Sequence, residues 1–145
     1  MATTEFTGPV DYLVFTFPEG ADLGAGLAAV LDRVNDGTVE ILDLELVGRD
    51  ESGAPAKLAF ADLTHSTDID LSIFDGVESE ILDDEDLTQI ADALEPGEFA
   101  LALVYEDRSL AQAANAWFAA GGKELFTGGV AISDLEEALE ERAEA

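Results

Sequence analysis

Phe99-Ala-Leu-Ala-Leu-Val-Tyr105, followed by the segment from Ser109 to Ala120, is the stretch of sequence that decides how this chain folds. Seven consecutive apolar residues are the length of a β-strand, and both alternating faces of this strand are apolar, as in the middle of a sheet. Glu95-Pro-Gly97 ends a preceding helix, and Gly121-Gly122 ends the helix that follows the strand. With a further strand over residues 124–130, the pattern predicts a βαβ unit.

A second βαβ unit is predicted nearer the start of the chain. Residues 10–17 form a strand that is apolar on both faces, residues 22–35 carry the apolar stripe of an amphipathic helix, and residues 38–47 form the closing strand. In the closing strand Asp43 and Glu45 alternate with leucines. We therefore expect these two carboxylates to face solvent.

The remaining elements are additions to these two units. Residues 56–63 are predicted to pair as a hairpin with the preceding strand. Residues 84–94 and 133–142 have the capping residues and apolar spacing of helices. Residues 64–82 mix strand-like and helix-like spacing, so we expect irregular structure there with one helical turn.

Two βαβ halves define the expected fold, an α+β ferredoxin-like plait with additional helices. In such a plait the first strands of the two halves lie side by side at the centre, which agrees with the two strands that are apolar on both faces. We predict a five-stranded sheet in the order 5-1-4-2-3. Residues 1–9 are expected to be a flexible arm, residues 10–142 a single domain, and residues 143–145 a frayed tail.

The net charge of the chain is strongly negative, since 33 acidic residues stand against six basic ones, which gives -27. Such a surface repels the phosphates of nucleic acids and anionic membranes, so we expect neither direct nucleic-acid binding nor membrane insertion. Hydrophobic residues make up 48% of the chain, which separates it from acidic disordered tails. The N-terminal segment lacks the pattern of a signal peptide, and the sequence predicts a soluble, cytoplasmic domain.

The acidic residues are concentrated in one part of the chain. Residues 58–107 hold fifteen carboxylates and no Lys or Arg. A field of this sign attracts basic ligands, so a basic protein is the expected partner of this stretch. The alternative is that these acids only solubilise the domain. The predicted partner-binding carboxylates are Asp68, Asp70, Asp75, Glu78, Glu80, Asp83, Asp84, Glu85 and Asp86.

No set of residues in the sequence points to catalysis or to a cofactor. The sole histidine, His65, has Ser66 and Asp68 nearby, but the chain lacks the Gly-x-Ser-x-Gly motif of a strained nucleophile turn. The absence of cysteine excludes thiolate chemistry. The carboxylate clusters do not have the spacing of a calcium-binding loop. We therefore predict no catalytic residue, no metal site and no cofactor, and we assign Trp117 and Phe118 to the core.

Three structural runs carry a resemblance to known proteins. Leu94-Glu-Pro-Gly97, Ala119-Ala-Gly-Gly122 with Glu124-Leu125, and Gly8-Pro-Val-Asp-Tyr12 resemble an uncharacterised bacterial family of small soluble proteins, a domain of unknown function. The chain is also similar to a related uncharacterised family of membrane proteins with a glycine-zipper segment between the third and fourth strands. Here the acidic stretch 64–86 occupies that place, so membrane insertion is not implied. The resemblance implies the fold and no activity.

Two functions follow as hypotheses. The first is a non-catalytic module that acts through self-association, as a homodimer, or by binding a basic protein. The second is a small-ligand-binding protein or enzyme that uses the sheet face of a dimeric plait as a pocket wall. The helices 22–35 and 109–120 are expected to cover one sheet face. Tyr12 and Val14, or the opposite set, then need other helices or a second copy to cover them.

Overall fold

The computed structural model describes residues 5–63, 67–76, 81–129 and 132–144. Within these ranges it has four strands, four α-helices and two short 3-10 helices, which confirms the predicted α+β class. The strands are β1 (Val10–Pro18), β2 (Val39–Arg49), β3 (Pro55–Leu58) and β4 (Glu98–Asp107). The helices are α1 (Gly24–Asn35), α2 (Asp84–Asp92), α3 (Ala111–Ala119) and α4 (Ile132–Glu144), and the 3-10 helices are Phe60–Asp62 and Leu71–Gly76.

The sheet is antiparallel, with the strand order β1-β4-β2-β3. Strand β4 lies inside it, as its run of apolar residues predicts, and pairs with the whole of β1, from Val10 opposite Glu106 to Pro18 opposite Glu98. The relative order of the first four predicted strands is therefore confirmed.

The predicted fifth strand is wrong. Residues 124–129 make a single isolated bridge at Glu124 and no ladder within the described part of the chain. This segment still runs beside the start of β1: the Thr7 amide donates to Oε1 of Glu124 at 2.8 Å, and a Cβ atom at Gly129 would lie 3.3 Å from Oδ1 of Asp11. Without a fifth strand the second βαβ half is not closed, β1 is an edge strand, and the ferredoxin-like plait is not established.

The main core lies between one face of the sheet, α1 and the two 3-10 helices. We call this face the α1 face. Alternating residues of β2 and β4 point into it because successive side chains of a strand lie on opposite sides. The buried residues of this core are Leu23, Leu27, Leu44, Leu46, Phe60, Leu71, Phe74 and Phe99. The opposite face, which we call the α2 face, carries a smaller cluster of Val47, Leu87 and Ala91.

A β-bulge in β2 sets which of its side chains point to each face. Ile41 is opposite Tyr105 and Asp43 is opposite Val104, so Leu42 is an extra residue in the ladder. A shift of one residue moves the following side chains to the other face. As a result both Ile41 and Leu44 contribute to the core on the α1 face.

The prediction that Asp43 and Glu45 face solvent is wrong, since both are completely buried on the α2 face. Elements distant in the sequence cover them. The amide of Leu82, just before α2, donates to Oδ2 of Asp43 at 2.9 Å. Lys57 of β3 places its Nζ 3.5 Å from Oε1 of Glu45. The hydrogen bond to Asp43 and the positive charge beside Glu45 offset part of the cost of burying these carboxylates.

Helix α3 does not share the cover of the α1 face that was predicted for it, because it contributes no residue to the described core there. Ala114 is its buried residue. Trp117 is 63% exposed, so its assignment to the core is wrong, while Phe118 is half-buried.

The predicted helical turn in residues 64–82 is present as the 3-10 helix Leu71–Gly76, and His65 lies outside the described residues.

Candidate functional site

The most unusual surface of the molecule is strand β1, which exposes large apolar side chains on both faces of the sheet. Leu13 and Phe15 lie on the α1 face, and Tyr12 and Val14 on the α2 face. Together with Val10 they form what we call the β1 surface. A single exposed apolar residue is ordinary, whereas a continuous group of five marks an interaction surface.

The helices leave this surface open because they pack over the other strands. Helix α1 contacts β2, and α2 contacts β2, β3 and β4. An open groove of about 580 Å³, the α2 groove, therefore lies between β1 and α2, with Tyr12, Val14 and Thr16 on one side and Ile90 on the other. A second groove of about 360 Å³ lies on the α1 face. It is lined by Leu13, Phe15, Phe17, Leu27 and Val30, among others.

The backbone of β1 is available as well as its side chains. In the described part of the chain, β4 is the strand that pairs with β1, and its ladder occupies one edge of β1. Edge strands of soluble proteins are normally blocked by shortness, Lys or Pro. Strand β1 has nine residues, no Lys, and Pro only at its last position, Pro18. Its edge is therefore competent to pair with another strand.

The opposite edge of the sheet shows the contrast. Strand β3 has four residues, begins with Pro55 and carries Lys57. Each of these features hinders the addition of another strand. The sheet therefore has one protected edge and one unprotected edge.

The predicted acidic partner-binding stretch is used in large part for local structure. Asp83 accepts from the Asp86 amide at 2.9 Å and Asp86 accepts from the Asp83 amide at 3.1 Å, which makes a capping box at the start of α2. Asp75 accepts from the Phe60 amide at 2.7 Å, and Asp70 accepts from the hydroxyl of Ser72. Glu78 and Glu80 lie outside the described residues, and Asp68, Asp84 and Glu85 are exposed.

Hydrogen bonding in turns lowers the pKa of three other carboxyl groups. Asp36, Asp50 and Asp107 each accept from a hydroxyl residue two positions later, and these bonds favour the charged form and lower the pKa. The donors are Thr38, Ser52 and Ser109. Such turns explain the shifts without a catalytic role.

A third open groove, of about 600 Å³, lies between the N-terminal arm, α3 and the segment after it. Phe6, Leu110, Trp117 and Phe126 line it, with Lys123 among the polar residues. Sequence reasoning missed it because the apolar stripe of α3 was assigned to the core. Over the described ranges of the chain, no group of three or more His, Asp or Glu side chains is arranged to hold a metal ion.

No protein family, no curated protein and no solved structure matches this chain. In the part of the chain that the structure describes, no helix combines the length and the apolar character needed to span a membrane. The site therefore defines a class only: an α+β domain with an unprotected apolar edge strand.

Proposed function

We propose that this protein is a non-catalytic, self-associating module that forms a homodimer through β1. The observation that carries the proposal is that one strand is at once an edge, free of blocking residues, and apolar on both faces. Pairing of two edges is the ordinary way in which such a strand is covered. A dimer about a two-fold axis uses the same patch on both copies.

Antiparallel pairing about an axis at Val14, the middle of β1, gives a continuous sheet of eight strands, four from each copy. In this register Leu13 lies opposite Phe15 of the second copy, and Tyr12 lies opposite Thr16 of the second copy. Residues directly opposite in a sheet are on the same face and in contact. Each apolar side chain of the β1 surface thereby gains a neighbour.

The exposed area of β1 suits this role. A fully covered aromatic side chain buries about 150–250 Å². Tyr12 is 72% exposed and Phe15 is 56% exposed, so the two supply roughly 250 Å² per copy. Val10, Leu13 and Val14 add to this area. A standard interface needs about 800 Å² per partner, and the exposed β1 residues make up a large part of it.

Charge favours β1 over the rest of the surface as a contact between copies. Two chains of net charge -27 repel each other, and the repulsion is weakest where charges are few. Residues 10–18 contain one charged residue, Asp11. In the proposed register Asp11 lies opposite Phe17 of the second copy, so the two aspartates are kept apart. Salt should strengthen the dimer because it screens the remaining repulsion.

Cysteine cross-linking tests both the dimer and its register, since the natural chain has no cysteine. Val14→Cys is expected to form a disulfide-linked dimer on mild oxidation, because residues paired across the axis have Cα atoms within disulfide range. Leu110→Cys, also exposed but on the loop before α3, is the matched control and should remain monomeric on a non-reducing gel. Tyr12→Cys and Thr16→Cys should each fail alone and cross-link when mixed.

Light scattering provides an independent test that does not depend on oxidation. Phe15→Lys should give a monomer, while Leu110→Lys should leave the dimer intact. Both substitutions make the chain less negative, so any loss of association must come from the lost apolar contact and the blocked edge. A wild-type monomer at high micromolar concentration in 1 M salt would rule the proposal out.

A further inference from the structure

The groove beside helix α3, which we call the α3 groove, concentrates aromatic side chains. Its lining includes the only tryptophan of the chain, Trp117, and three of the eight phenylalanines, Phe6, Phe118 and Phe126. Trp117 is 63% exposed and Phe126 is 89% exposed, so much of both rings is open to a ligand. The volume of about 600 Å³ lies within the range of small-molecule sites in proteins.

The arm that carries Phe6 is fixed to the end of β4. The Gly8 amide donates to Oε2 of the buried Glu106 at 2.7 Å, and the Asp107 amide donates to the Pro9 carbonyl at 2.8 Å. A Cβ atom at Gly8 would overlap with the Asp107 carbonyl oxygen, so this close approach requires glycine. The first wall of the α3 groove is therefore built into the fold.

The segment after α3 supplies another wall. The Gly122 amide donates to the Trp117 carbonyl at 2.8 Å, which closes the end of the helix. Oε1 of Glu124 then accepts from the Thr7 amide at 2.8 Å and joins this segment to the arm. Phe126 follows two residues later. Arm, helix and segment are thereby linked to one another around one apolar space.

The aromatic rings of the α3 groove suit a positively charged ligand. The guanidinium carbon of Arg108 lies 5.2 Å from the centre of the Phe6 ring, which is within cation–π range. A ring of this groove therefore already has a cation beside it. Trp117, the residue type that attracts cations most strongly, and Phe126 belong to the same lining. They offer aromatic surface to a second cation.

Charge also favours a cation over an anion. Asp107 and Glu124 contribute two carboxylates to the lining, and the whole chain has a net charge of -27. Lys123 adds one opposing charge, but it is exposed, and its flexible stem lets the ammonium stay in water. A field of this sign raises the local concentration of cations and repels anions.

We propose that the α3 groove binds an apolar organic cation of the quaternary ammonium class. The aromatic rings contact its alkyl groups, and Asp107 and Glu124 supply the counter-charge. This function is additional to the homodimer. The groove is made by the arm, α3 and the segment after it, whereas the dimer uses the edge of β1, so either proposal can fail while the other holds.

Three probes that share a benzyl group test the ligand class at one fixed ionic strength. They are benzyltrimethylammonium, benzyl alcohol and phenylacetate, which are positive, neutral and negative. Because Trp117 is the only tryptophan, its fluorescence reports on the groove without a label. The cation should bind about tenfold more tightly than either other probe, since cation–π attraction and the carboxylates add to the apolar contact that all three share.

Three results would overturn the proposal. Equal affinities for the three probes would show that the groove only adsorbs apolar molecules. Tighter binding of phenylacetate would assign the groove to anions, with Lys123 as their partner. No binding of any probe would show that the groove is not a small-molecule site.

Phe126→Leu tests the aromatic contact. The substitution keeps an apolar side chain and removes a ring, and the fold does not depend on a side chain that is 89% exposed. Binding of benzyltrimethylammonium, measured by calorimetry, should weaken several-fold, while that of benzyl alcohol should change by less than about twofold. Circular dichroism confirms that the variant is folded.

Glu124→Gln tests the counter-charge. Glutamine keeps an oxygen that can accept from the Thr7 amide but lacks the charge, so the variant should bind the cation more weakly and benzyl alcohol unchanged. Glu51→Gln, the same substitution in an exposed turn outside the groove, is the matched control and should bind like wild type. If Phe126→Leu and Glu124→Gln both bind the cation with wild-type affinity, the cation binds elsewhere and the proposal is wrong.

Discussion

Nζ of Lys57 lies 3.5 Å from Oε1 of Glu45, so the short edge strand β3 supplies a cation to a carboxylate that is wholly buried in β2. Lys57 is directly opposite Val47, which makes Glu45 its diagonal neighbour across the two strands. The same lysine hinders strand addition at the β3 edge and places a positive charge beside a buried acid. The ion pair offsets part of the cost of burying that carboxylate.

Removal of the lysine charge is expected to destabilise the fold. Lys57→Met should lower the free energy of unfolding by about 1–2 kcal/mol, because it removes the cation beside a buried acid. The loss is limited to this size because the lysine is partly exposed to solvent, which weakens the ion pair. Urea unfolding measures the effect. Lys123→Met, which changes the net charge equally at an exposed site, is the control, and equal losses in the two variants would show that only net charge matters.

Arg49 is expected to hold the end of α2 in place. Its Nε donates to the Ala91 carbonyl at 2.7 Å and its Nη2 to the Leu94 carbonyl at 2.8 Å, which satisfies groups left free at a helix C-terminus. Arg49→Lys keeps the charge but cannot make this two-pronged contact, so unfolding should become easier by about 1–2 kcal/mol. Arg33→Lys alters only an exposed ion pair with Asp36 and should change little. Thermal melts of Arg49→Lys and Arg33→Lys measure this difference in stability.

The capping box predicts a difference between neighbouring aspartates. Asp83→Ala removes the cap of α2 and should cost about 1 kcal/mol of unfolding free energy. Asp84→Ala removes the same charge from the first turn without removing the cap, so its effect should be smaller. If chemical denaturation gives the same midpoint for both variants, the cap does not stabilise the helix.

The Asp50 turn predicts a pH dependence. The hydroxyl of Ser52 and the amide of Ala54 donate to its carboxylate and lower its pKa in the folded state. A lowered pKa means that the stabilisation is present at neutral pH, above the pKa of the unfolded chain near 4, and is lost as pH falls through the lower folded value. Wild type should therefore exceed Asp50→Asn in melting temperature at pH 7.

The difference in melting temperature between wild type and Asp50→Asn is the informative quantity, because protonation of the other acids relieves charge repulsion in both proteins. It should shrink below about pH 4 and vanish once Asp50 is protonated. A difference that stays constant down to pH 2 would mean that the charge of Asp50 does not contribute.

Much of the fold could be predicted because local signals agree along the chain. The apolar run at 99–105 predicted the inner strand β4, and the aspartates before α2 predicted its start. The relative order of four strands followed from the βαβ pattern. The local sequence could not exclude a fifth strand, since residues 124–130 have the composition of a strand. Only the lack of a ladder partner distinguishes this segment from a true strand. Gly128-Gly129 offers no side chains to pack there.

The candidate site was predicted in part. The sequence identified β1 as apolar on both faces, but this pattern was attributed to a central strand, and nothing within 10–17 distinguishes a central strand from an edge meant for pairing. Burial of Asp43 and Glu45 was missed for a related reason. The alternation of side chains along β2 predicts that Asp43 and Glu45 share a face. It does not predict that Leu82 and Lys57, which are distant in the sequence, lie over that face.

The bulge at Leu42 makes β2 tolerant of a change in length at one position. Deletion of Leu42 would join Ile41 directly to Asp43, whose partners Tyr105 and Val104 are already consecutive in β4. Simple alternation would then continue through the strand, with Ile41 and Leu44 still in the core. Deletion of a residue within the regular part, such as Glu45, would instead turn one half of the strand inside out. Natural indels in relatives of this chain are thus expected to collect at the bulge.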